Sequence, residues 1–405
     1  MSTTLASPAP YVPNKQRMVG KFVVSADCHV NEPFDVFTAR VAERFRERVP
    51  TMKVDEKGRK WLIMEGARPS WIREAPRDQQ VSIAQFKRRW ETDGARPQLD
   101  RTKGAMFQQH GGTGPERYQD MDYDGVDAEI VFPNKGLAAF YSPDPELNVE
   151  MCRAWNDWAY ETFSGNSRSF PSALIAPADV DAAVKEVGRA ADRGFHSVML
   201  PPLIRDKGYN LPEFNPLWDV LNQTGLAACF HAGTGKDPRG ATGDGGAIIN
   251  YVVHAMNTVV QPLVEVCASG VFDRYPRLRC GTVEAGVGWI PYTLQAMDQG
   301  YESFAFWVTP KLARRPSEYF RSNCFATFEV DPVGVELRRY VGADNLLWGN
   351  DYPHIEGCWP NSDLVVESWG ESVSKSERAK MLGLNAARVF NIPVPEMYQN
   401  ESEVA

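Results

Sequence analysis

The feature that most constrains the fold is a series of eight short apolar segments separated by stretches with helical periodicity. Near-continuous apolar character is typical of strands buried on both faces of a parallel sheet. The segments are Phe22–Asp27, Asp127–Pro133, Ala173–Pro177, Ser197–Pro201, Leu226–His231, Leu278–Glu284, Cys324–Glu329 and Leu346–Asp351. Eight strands that alternate with helices predict an α/β fold, the (β/α)8 TIM barrel. An open doubly wound sheet would instead require a Gly-rich loop after the first strand, and DCHVNEP is not one.

One interval between the predicted strands is too long for a simple crossover. Residues 35–120 separate the first and second strands, and we interpret them as an inserted lid or subdomain. This interval contains a candidate hairpin at residues 52–66. We expect residues 1–20 to form a disordered tail, residues 21–397 to form the barrel with its insertion, and residues 398–405 to form a second tail.

Composition narrows the class of partner. The net charge of −8 argues against a general nucleic-acid surface, because phosphate binding needs clustered Lys and Arg. No apolar run approaches the ~20 residues of a membrane span, so no membrane partner is expected. The seven cysteines are scattered without a CxxC pair, and the N-terminus lacks the apolar core of a signal peptide. These features favour buried free thiols and a cytoplasmic protein.

Potential metal ligands lie at the carboxyl ends of four predicted strands, where barrel enzymes place their sites. Asp27 and His29 end the first strand, and their two-residue spacing points both side chains the same way. His231, Glu284 and Asp351 end the fifth, sixth and eighth strands. Each alone could be a structural histidine or a helix cap, so the prediction rests on their joint occurrence. This mixture of nitrogen and carboxylate donors suits Zn, Fe or Mn.

Four sequence motifs carry a resemblance to a known family. DCHVNEP at residues 27–33, FHAG at 230–233, RYPRLRCGTVEAGVGWIPY at 274–292 and LLWGNDYPHIEG at 346–357 resemble the amidohydrolase-related branch of the metal-dependent amidohydrolase superfamily. This branch includes aminocarboxymuconate semialdehyde decarboxylase and resorcylate-type decarboxylases. The resemblance covers residues 20–392 apart from the lid. It implies a metal bound by Asp27, His29, His231, Glu284 and Asp351.

The chain departs from this family at two ligand positions. Asp27 stands where better-known members have His or Glu, and Glu284 stands where they usually have His. Both changes add carboxylate, which favours iron or manganese over a histidine-bound zinc. They also leave open the possibility of a second metal ion. The residues that could bind it, or that could instead orient the ligands of the first ion, are Glu32, His254, His354 and Glu356.

Metal chemistry suggests catalytic roles for two residues. Asp351 is expected to act as the general base for a water molecule, and His354 either donates a proton or orients Asp351. Residues 68–103 of the predicted lid are rich in Arg and Lys, which favours an anionic substrate such as a carboxylate or a CoA thioester. A solvated charged surface would explain the same pattern.

Three functions are consistent with these residues. The first is a metal-dependent hydrolase, or a mechanistically related decarboxylase, that acts on a small anionic and possibly CoA-linked molecule. The second is a non-heme di-iron monooxygenase on the same barrel, hydroxylating a CoA-linked substrate. The third is a metal-containing protein that binds but does not catalyse. We expect a small-molecule partner and, because relatives are often dimers, a homodimer.

Overall fold

Eight parallel strands form the central sheet of the computed structural model, which describes residues 18, 21–72, 80–81, 90–93, 96–99, 106–107, 111–235, 240–354 and 357–399. Each strand pairs with its neighbours in chain order. The strands are β1 (Val24–Val30), β2 (Ala128–Pro133), β3 (Ser169–Leu174), β4 (Ser197–Leu200), β5 (Ala227–His231), β6 (Cys280–Val283), β7 (Cys324–Phe328) and β8 (Leu346–Trp348). Almost all strand residues are buried, as the continuous apolar segments predict.

Backbone hydrogen bonds between the segment after β8 and strand β1 bring the two ends of the sheet together. The Asp351 amide donates to the Asp27 carbonyl at 2.9 Å, and the His29 amide donates to the Tyr352 carbonyl at 2.5 Å. Gly349 permits this approach, because a Cβ there would lie 2.9 Å from the Asp27 nitrogen. The predicted TIM barrel is confirmed.

Helices follow the strands and cover the outside of the barrel. Several begin at an aspartate whose side chain accepts a backbone N–H, as Asp144, Asp179 and Asp331 do. Gly125 ends another helix with a left-handed φ of 78°. The helices of eight or more residues are Pro115–Asp124, Pro145–Phe163, Val180–Asp192, Asn215–Thr224, Gly246–His254, Val260–Ala268, Ile290–Ser303, Pro316–Asn323 and Pro332–Val341. Shorter helices are Asp35–Thr38, Val271–Arg274, Ser362–Ser368, Lys375–Ala379 and Asn385–Phe390.

A small antiparallel sheet lies between β1 and β2 in the sequence. Its strands Thr51–Val54 and Lys60–Ile63 form the predicted hairpin, and Ser70–Trp71 adds a third strand. Glu65 joins this sheet to the barrel, because its carboxylate accepts hydrogen bonds from Arg48 and from the hydroxyl of Ser142. Two more strand pairs follow, Gln80–Val81 with Met106–Phe107 and Trp90–Asp93 with Arg96–Leu99.

The helical stretch Gly246–Ala268 differs from the sequence expectation that no segment approaches the length of a membrane span. Its 23 residues are long and apolar enough to cross a membrane by length and composition alone. A 3-10 turn at Met256–Val259 interrupts it, and Leu263 and Val266 in its second half are buried in the core of the barrel. Those contacts are typical of a helix that packs on a barrel.

Candidate metal centre

Strand β1 delivers Asp27 and His29 to the carboxyl end of the barrel, and both are fully buried. His29 Nδ1 lies 2.8 Å from the Pro133 carbonyl oxygen, at the end of β2. A carbonyl can only accept, so Nδ1 carries the proton and donates it. In the neutral ring, Nε2 therefore keeps its lone pair, which faces the centre of the site.

His231 at the end of β5 is held in the same way. Its Nδ1 lies 2.8 Å from the Ala232 carbonyl oxygen, which leaves Nε2 as the nitrogen with a lone pair. That Nε2 lies 3.6 Å from Asp27 Oδ1. Two imidazoles from different strands thus direct their Nε2 atoms toward one carboxylate.

Glu284 and Asp351 have an unusual backbone conformation. Their φ angles are 59° and 51°, in the left-handed region that side chains other than Gly and Asn rarely adopt. Such a conformation costs about 1–3 kcal/mol and persists only where the surroundings hold it. The Glu284 amide donates to Thr327 Oγ1 at 3.0 Å, and the Asp351 amide is held by Asp27. Strain of this kind clusters at functional sites.

The donor atoms converge around one point. His29 Nε2 lies 3.6 Å from one oxygen of each of Asp27, Glu284 and Asp351. Ligands at about 2.1 Å from one ion in tetrahedral geometry are about 3.4 Å apart, so this spacing suits a shared cation. Asp27 Oδ1 and Oδ2, His29 Nε2 and His231 Nε2 are buried and lack a hydrogen-bond partner among the described residues. Buried polar atoms normally have one, and these donors therefore fit a divalent metal ion.

The site has an excess of negative charge. Burial lowers the pKa of His29, but hydrogen bonds and charge interactions with Asp27 and Glu284 outweigh it and raise that pKa to about 10. Without another cation, these carboxylates therefore hold a proton on His29. A divalent ion could replace that proton.

His354 lies beside the predicted ligands. Its Nδ1 is 3.0 Å from Asp351 Oδ1 and 4.0 Å from Glu284 Oε1, and its ring stacks on that of His29 with centroids 3.9 Å apart. Burial, together with the charge of His29, lowers the pKa of His354 to about 2. The ring is therefore neutral at physiological pH, and its lone pair can bind a cation.

The other spare donors have different surroundings. Both carboxylate oxygens of Glu32 accept backbone N–H groups, one from Asn134 at 3.1 Å and one from Gly136 at 2.7 Å. Glu32 thus orders the turn after β2, and it is not among the donors grouped around the centre. His254 lines a neighbouring cavity instead. Glu356 lies outside the described residues.

Glu329, immediately after β7, is a residue that the sequence reasoning missed. Burial, together with the charges of Asp27 and Glu284, raises its pKa well above the usual value. Its Oε1 is buried without a hydrogen-bond partner among the described residues. The predicted seventh strand ended at this residue, so the strand-end rule applied to all eight strands would have found it.

A buried network supports the centre from outside. Arg117 donates two hydrogen bonds to Glu129, at 2.6 and 2.9 Å, and a third to the His29 carbonyl at 3.0 Å. The Tyr352 hydroxyl, next to Asp351, donates to Asp120 at 2.6 Å. The helix Pro115–Asp124 is thereby connected to both β1 and the segment after β8, and orients the ligands that they carry.

A cavity of about 570 Å³ opens at the carboxyl end of the barrel. This volume lies in the range of small-molecule sites. Its wall combines apolar and polar side chains from the small sheet and from the segments after β2 and β5, including Leu62, Arg68, Asn134, Lys135, Tyr141 and His254. Lys135 and Tyr141 were also not predicted from the sequence.

Comparison with known proteins agrees with this architecture. The amidohydrolase family model matches residues 60–392. An amidohydrolase from Mycobacterium avium subsp. paratuberculosis is 21% identical with a TM-score of 0.70, over 92% of this chain and 99% of the other. The search of curated proteins returns no match.

Two decarboxylases are also similar in structure. 5-Carboxyvanillate decarboxylase from Sphingomonas paucimobilis is 25% identical with a TM-score of 0.60, over 73% of this chain and 86% of the other. A dihydroxybenzoic acid decarboxylase from Polaromonas sp., with bound manganese and the inhibitor 2-nitroresorcinol, is 19% identical with a TM-score of 0.58, over 74% and 92% of the two chains. The family model spans most of the chain, so the protein belongs to the amidohydrolase family.

Proposed function

We propose that this protein is a metal-dependent enzyme that decarboxylates, or hydrolyses, a small aromatic carboxylate. The observation that carries the proposal is a group of buried donor atoms at the mouth of the barrel that have no hydrogen-bond partner in the described part of the chain. In this group, His29 Nε2 and His231 Nε2 each lie 3.6 Å from Asp27 Oδ1. Glu284 and Asp351 complete the proposed ligand set. The similarity to manganese-containing decarboxylases supports manganese as the first metal to test, ahead of iron and zinc.

We infer that the cavity beside this centre binds the substrate. Lys135 and Arg68 bring positive charge to a wall that is otherwise largely apolar, which suits a ring bearing a carboxylate. Arg68 comes from the insertion between β1 and β2. We therefore propose that the small sheet acts as the lid. Most of the basic stretch at residues 68–103, on which the expectation of an anionic substrate rested, lies outside the described residues.

The proposed mechanism assigns a proton transfer to Asp351. A bound divalent ion would polarise the substrate carboxylate or carbonyl and lower the pKa of water. Loss of CO2 leaves an electron pair on the ring carbon, which must receive a proton. In this proposal Asp351 first accepts a proton, from water or from an acidic group of the substrate, and then delivers it to that carbon; in a hydrolysis it would take one from the attacking water.

Activity measurements on the manganese-loaded protein test this proposal. CO2 release is measured with 5-carboxyvanillate and 2,6-dihydroxybenzoate, and hydrolysis with ester and CoA-thioester analogues. We expect turnover in one of these series and loss of at least about a thousandfold in Asp351→Asn, since the proton carrier is removed. Full activity in Asp351→Asn would contradict the assigned role. Glu336→Gln serves as the control, because Glu336 is an exposed residue on the helix Pro332–Val341.

A second candidate function is oxygenation by two iron ions. The carboxylate-rich centre, with Glu284 and Glu329 in addition to the two aspartates, favours it. Oxygen uptake by the iron-loaded protein, with two irons per chain, would support this function over decarboxylation. The same assay without oxygen uptake would exclude it.

We propose further that the protein is a cytoplasmic homodimer. All seven cysteines are buried free thiols, which suits a reducing compartment. Large aromatic side chains are exposed next to the helix Ile290–Ser303, where Phe306 and Trp307 are 94% and 76% accessible. Exposed apolar surface of this kind is typical of a protein interface. Light scattering in solution distinguishes a dimer from a monomer.

A further inference from the structure

A second cavity lies beside the proposed substrate cavity. It has a volume of about 690 Å³ and is lined by residues that follow β3 and β4, among them Ala176, Pro177, Pro201 and Leu203. The proposed metal ligands come instead from the ends of β1, β5, β6 and β8. The second cavity therefore opens at a part of the barrel mouth that carries none of these ligands.

Tyr141 is the side chain that the two cavities share. Gly66 and Tyr141 are the two described residues that line both of them, and Gly66 has no side chain. The Tyr141 hydroxyl donates to the Gly233 carbonyl at 2.9 Å, so the ring runs from the segment after β2 to the segment after β5. In the order of the sheet, β3 and β4 lie between those two strands. The ring therefore crosses the barrel mouth between the two cavities.

Tyr141 is fixed through its backbone as well as through its hydroxyl. Its amide donates to the Ala138 carbonyl at 3.0 Å, and a Cβ on Gly66 would overlap its carbonyl oxygen. Gly66, in the turn before the third strand of the small sheet, has a left-handed φ of 80° and permits this close approach. The next residue, Ser142, donates its hydroxyl to Glu65 at 2.6 Å. The ring is thereby held as a fixed wall.

The two cavities differ in charge. The proposed substrate cavity has Arg68 and Lys135 in its wall and no carboxylate among the described residues that line it. The second cavity has two carboxylates, Glu65 and Asp206, and one guanidinium, that of Arg205. Much of its remaining wall is apolar and is formed by Phe140, Ala176, Pro177, Pro201, Leu203 and Ile204. A carboxylate therefore suits the first cavity, whereas an uncharged, apolar substituent suits the second.

We propose that Tyr141 determines the length of the substrate, because its ring separates the proposed substrate cavity from the apolar cavity at the ends of β3 and β4. This inference rests on the proposed function, since it takes the first cavity as the site of the aromatic carboxylate. In the wild type, the substrate ends against the tyrosine ring. Loss of that ring would join the two cavities, more than double the available space and admit an aromatic carboxylate that carries an apolar chain.

Binding of substituted benzoates to the manganese-loaded full chain, measured in a calorimeter, tests the proposal. Benzoate is compared with 3-hexylbenzoate and 4-hexylbenzoate, which carry the chain in two directions and lack a hydroxyl group that would activate the ring for decarboxylation. The wild type should bind neither hexyl derivative more tightly than benzoate. Tyr141→Ala should bind at least one of them about 10- to 100-fold more tightly than benzoate, because the chain becomes buried against apolar side chains. Tyr141→Phe is the matched control, and it should keep the wild-type preference because it keeps the ring.

A second substitution shows where the chain is bound. Ala178 lines the second cavity and is only partly buried, so Ala178→Phe would fill that space from its edge. The double variant Tyr141→Ala/Ala178→Phe should lose the gain for the hexyl derivative and should bind benzoate as Tyr141→Ala does. Should Tyr141→Ala fail to fold, as judged by thermal melting, Tyr141→Leu removes the ring but keeps an apolar side chain, and the same comparison applies.

The outcomes separate this inference from the proposed function. If the wild type and Tyr141→Ala have the same preference between benzoate and its hexyl derivatives, or if the gain survives Ala178→Phe, the role of Tyr141 is wrong. Benzoate binding to the wild type would then still support the proposed substrate cavity. A wild type that binds none of these carboxylates would defeat both the proposed substrate cavity and the role of Tyr141.

Discussion

Replacing Arg117 by methionine tests whether the buried network supports the barrel. Arg117 and Glu129 are both fully buried, and their two hydrogen bonds of 2.6 and 2.9 Å form a bidentate pair. Removing one partner of such a pair leaves an uncompensated buried charge and costs about 3–5 kcal/mol. The His29 carbonyl would also lose its 3.0 Å donor, which adds about 1 kcal/mol. We expect Arg117→Met to lower the free energy of unfolding by about 4–6 kcal/mol.

Urea unfolding in EDTA, followed by tryptophan fluorescence and circular dichroism, measures this change without a contribution from metal binding. Arg40→Met is the matched control, because Glu161, its ion-pair partner, is solvent-exposed and the pair should contribute less than about 1 kcal/mol. The double variant Arg117→Met/Glu129→Leu should recover most of the loss, since no charge remains buried. If Arg117→Met is as stable as Arg40→Met, or the two single losses simply add, the reasoning is wrong.

Three further predictions concern the site and its surroundings. Removal of metal with EDTA should lower the melting temperature, because the buried donors lose their cation, and added manganese should restore it. A melting temperature that neither EDTA nor manganese changes would contradict a bound metal. Lys135→Met should raise the KM for a carboxylate substrate by about 10- to 100-fold with little change in kcat, since a charge-assisted bond to the ground state is lost; an unchanged KM would remove Lys135 from substrate binding. Burial raises the pKa of Asp124 to about 7, despite hydrogen bonds from Ser362 and Asn350. Between about pH 4 and that value the folded chain holds a proton that the unfolded chain has lost, so stability should fall as pH rises through this window, and Asp124→Asn should lack this decline in urea titrations at several pH values.

The strands could be predicted because burial on both faces leaves a continuous apolar signature in the sequence. The exception is β3, predicted at Ala173–Pro177 and observed at Ser169–Leu174. Its first half contains Pro171, which usually argues against a strand, whereas the apolar residues that follow continue past its end. Local composition therefore placed the strand several residues too late in the sequence, although its position in the barrel order was correct.

Long-range contacts at the mouth of the barrel were harder to predict. Glu32 was predicted as a spare metal ligand or as a residue that orients the ligands, and the chain after β2 folds back and places two backbone amides on its carboxylate. The charge of Asp27, on a strand distant in the sequence, helps to raise the pKa of Glu329, and local sequence does not report such a long-range interaction. The left-handed backbone at Glu284 was equally invisible, since positive φ is normally signalled by Gly or Asn.

Barrel closure and the candidate metal centre depend on the same hydrogen bonds. The Asp351 amide donates to Asp27, and the His29 amide donates to the residue that follows Asp351, so the ligands of the first and last strands are joined through their own backbones. Any displacement of β8 from β1 would therefore separate the carboxylates of Asp27 and Asp351. In reverse, a cation bound by both side chains would hold the two strands together, and metal binding contributes to folding wherever its ligands converge only in the folded state. The strained φ of Asp351 can persist for the same reason, because both its amide and its carboxylate are fixed from β1.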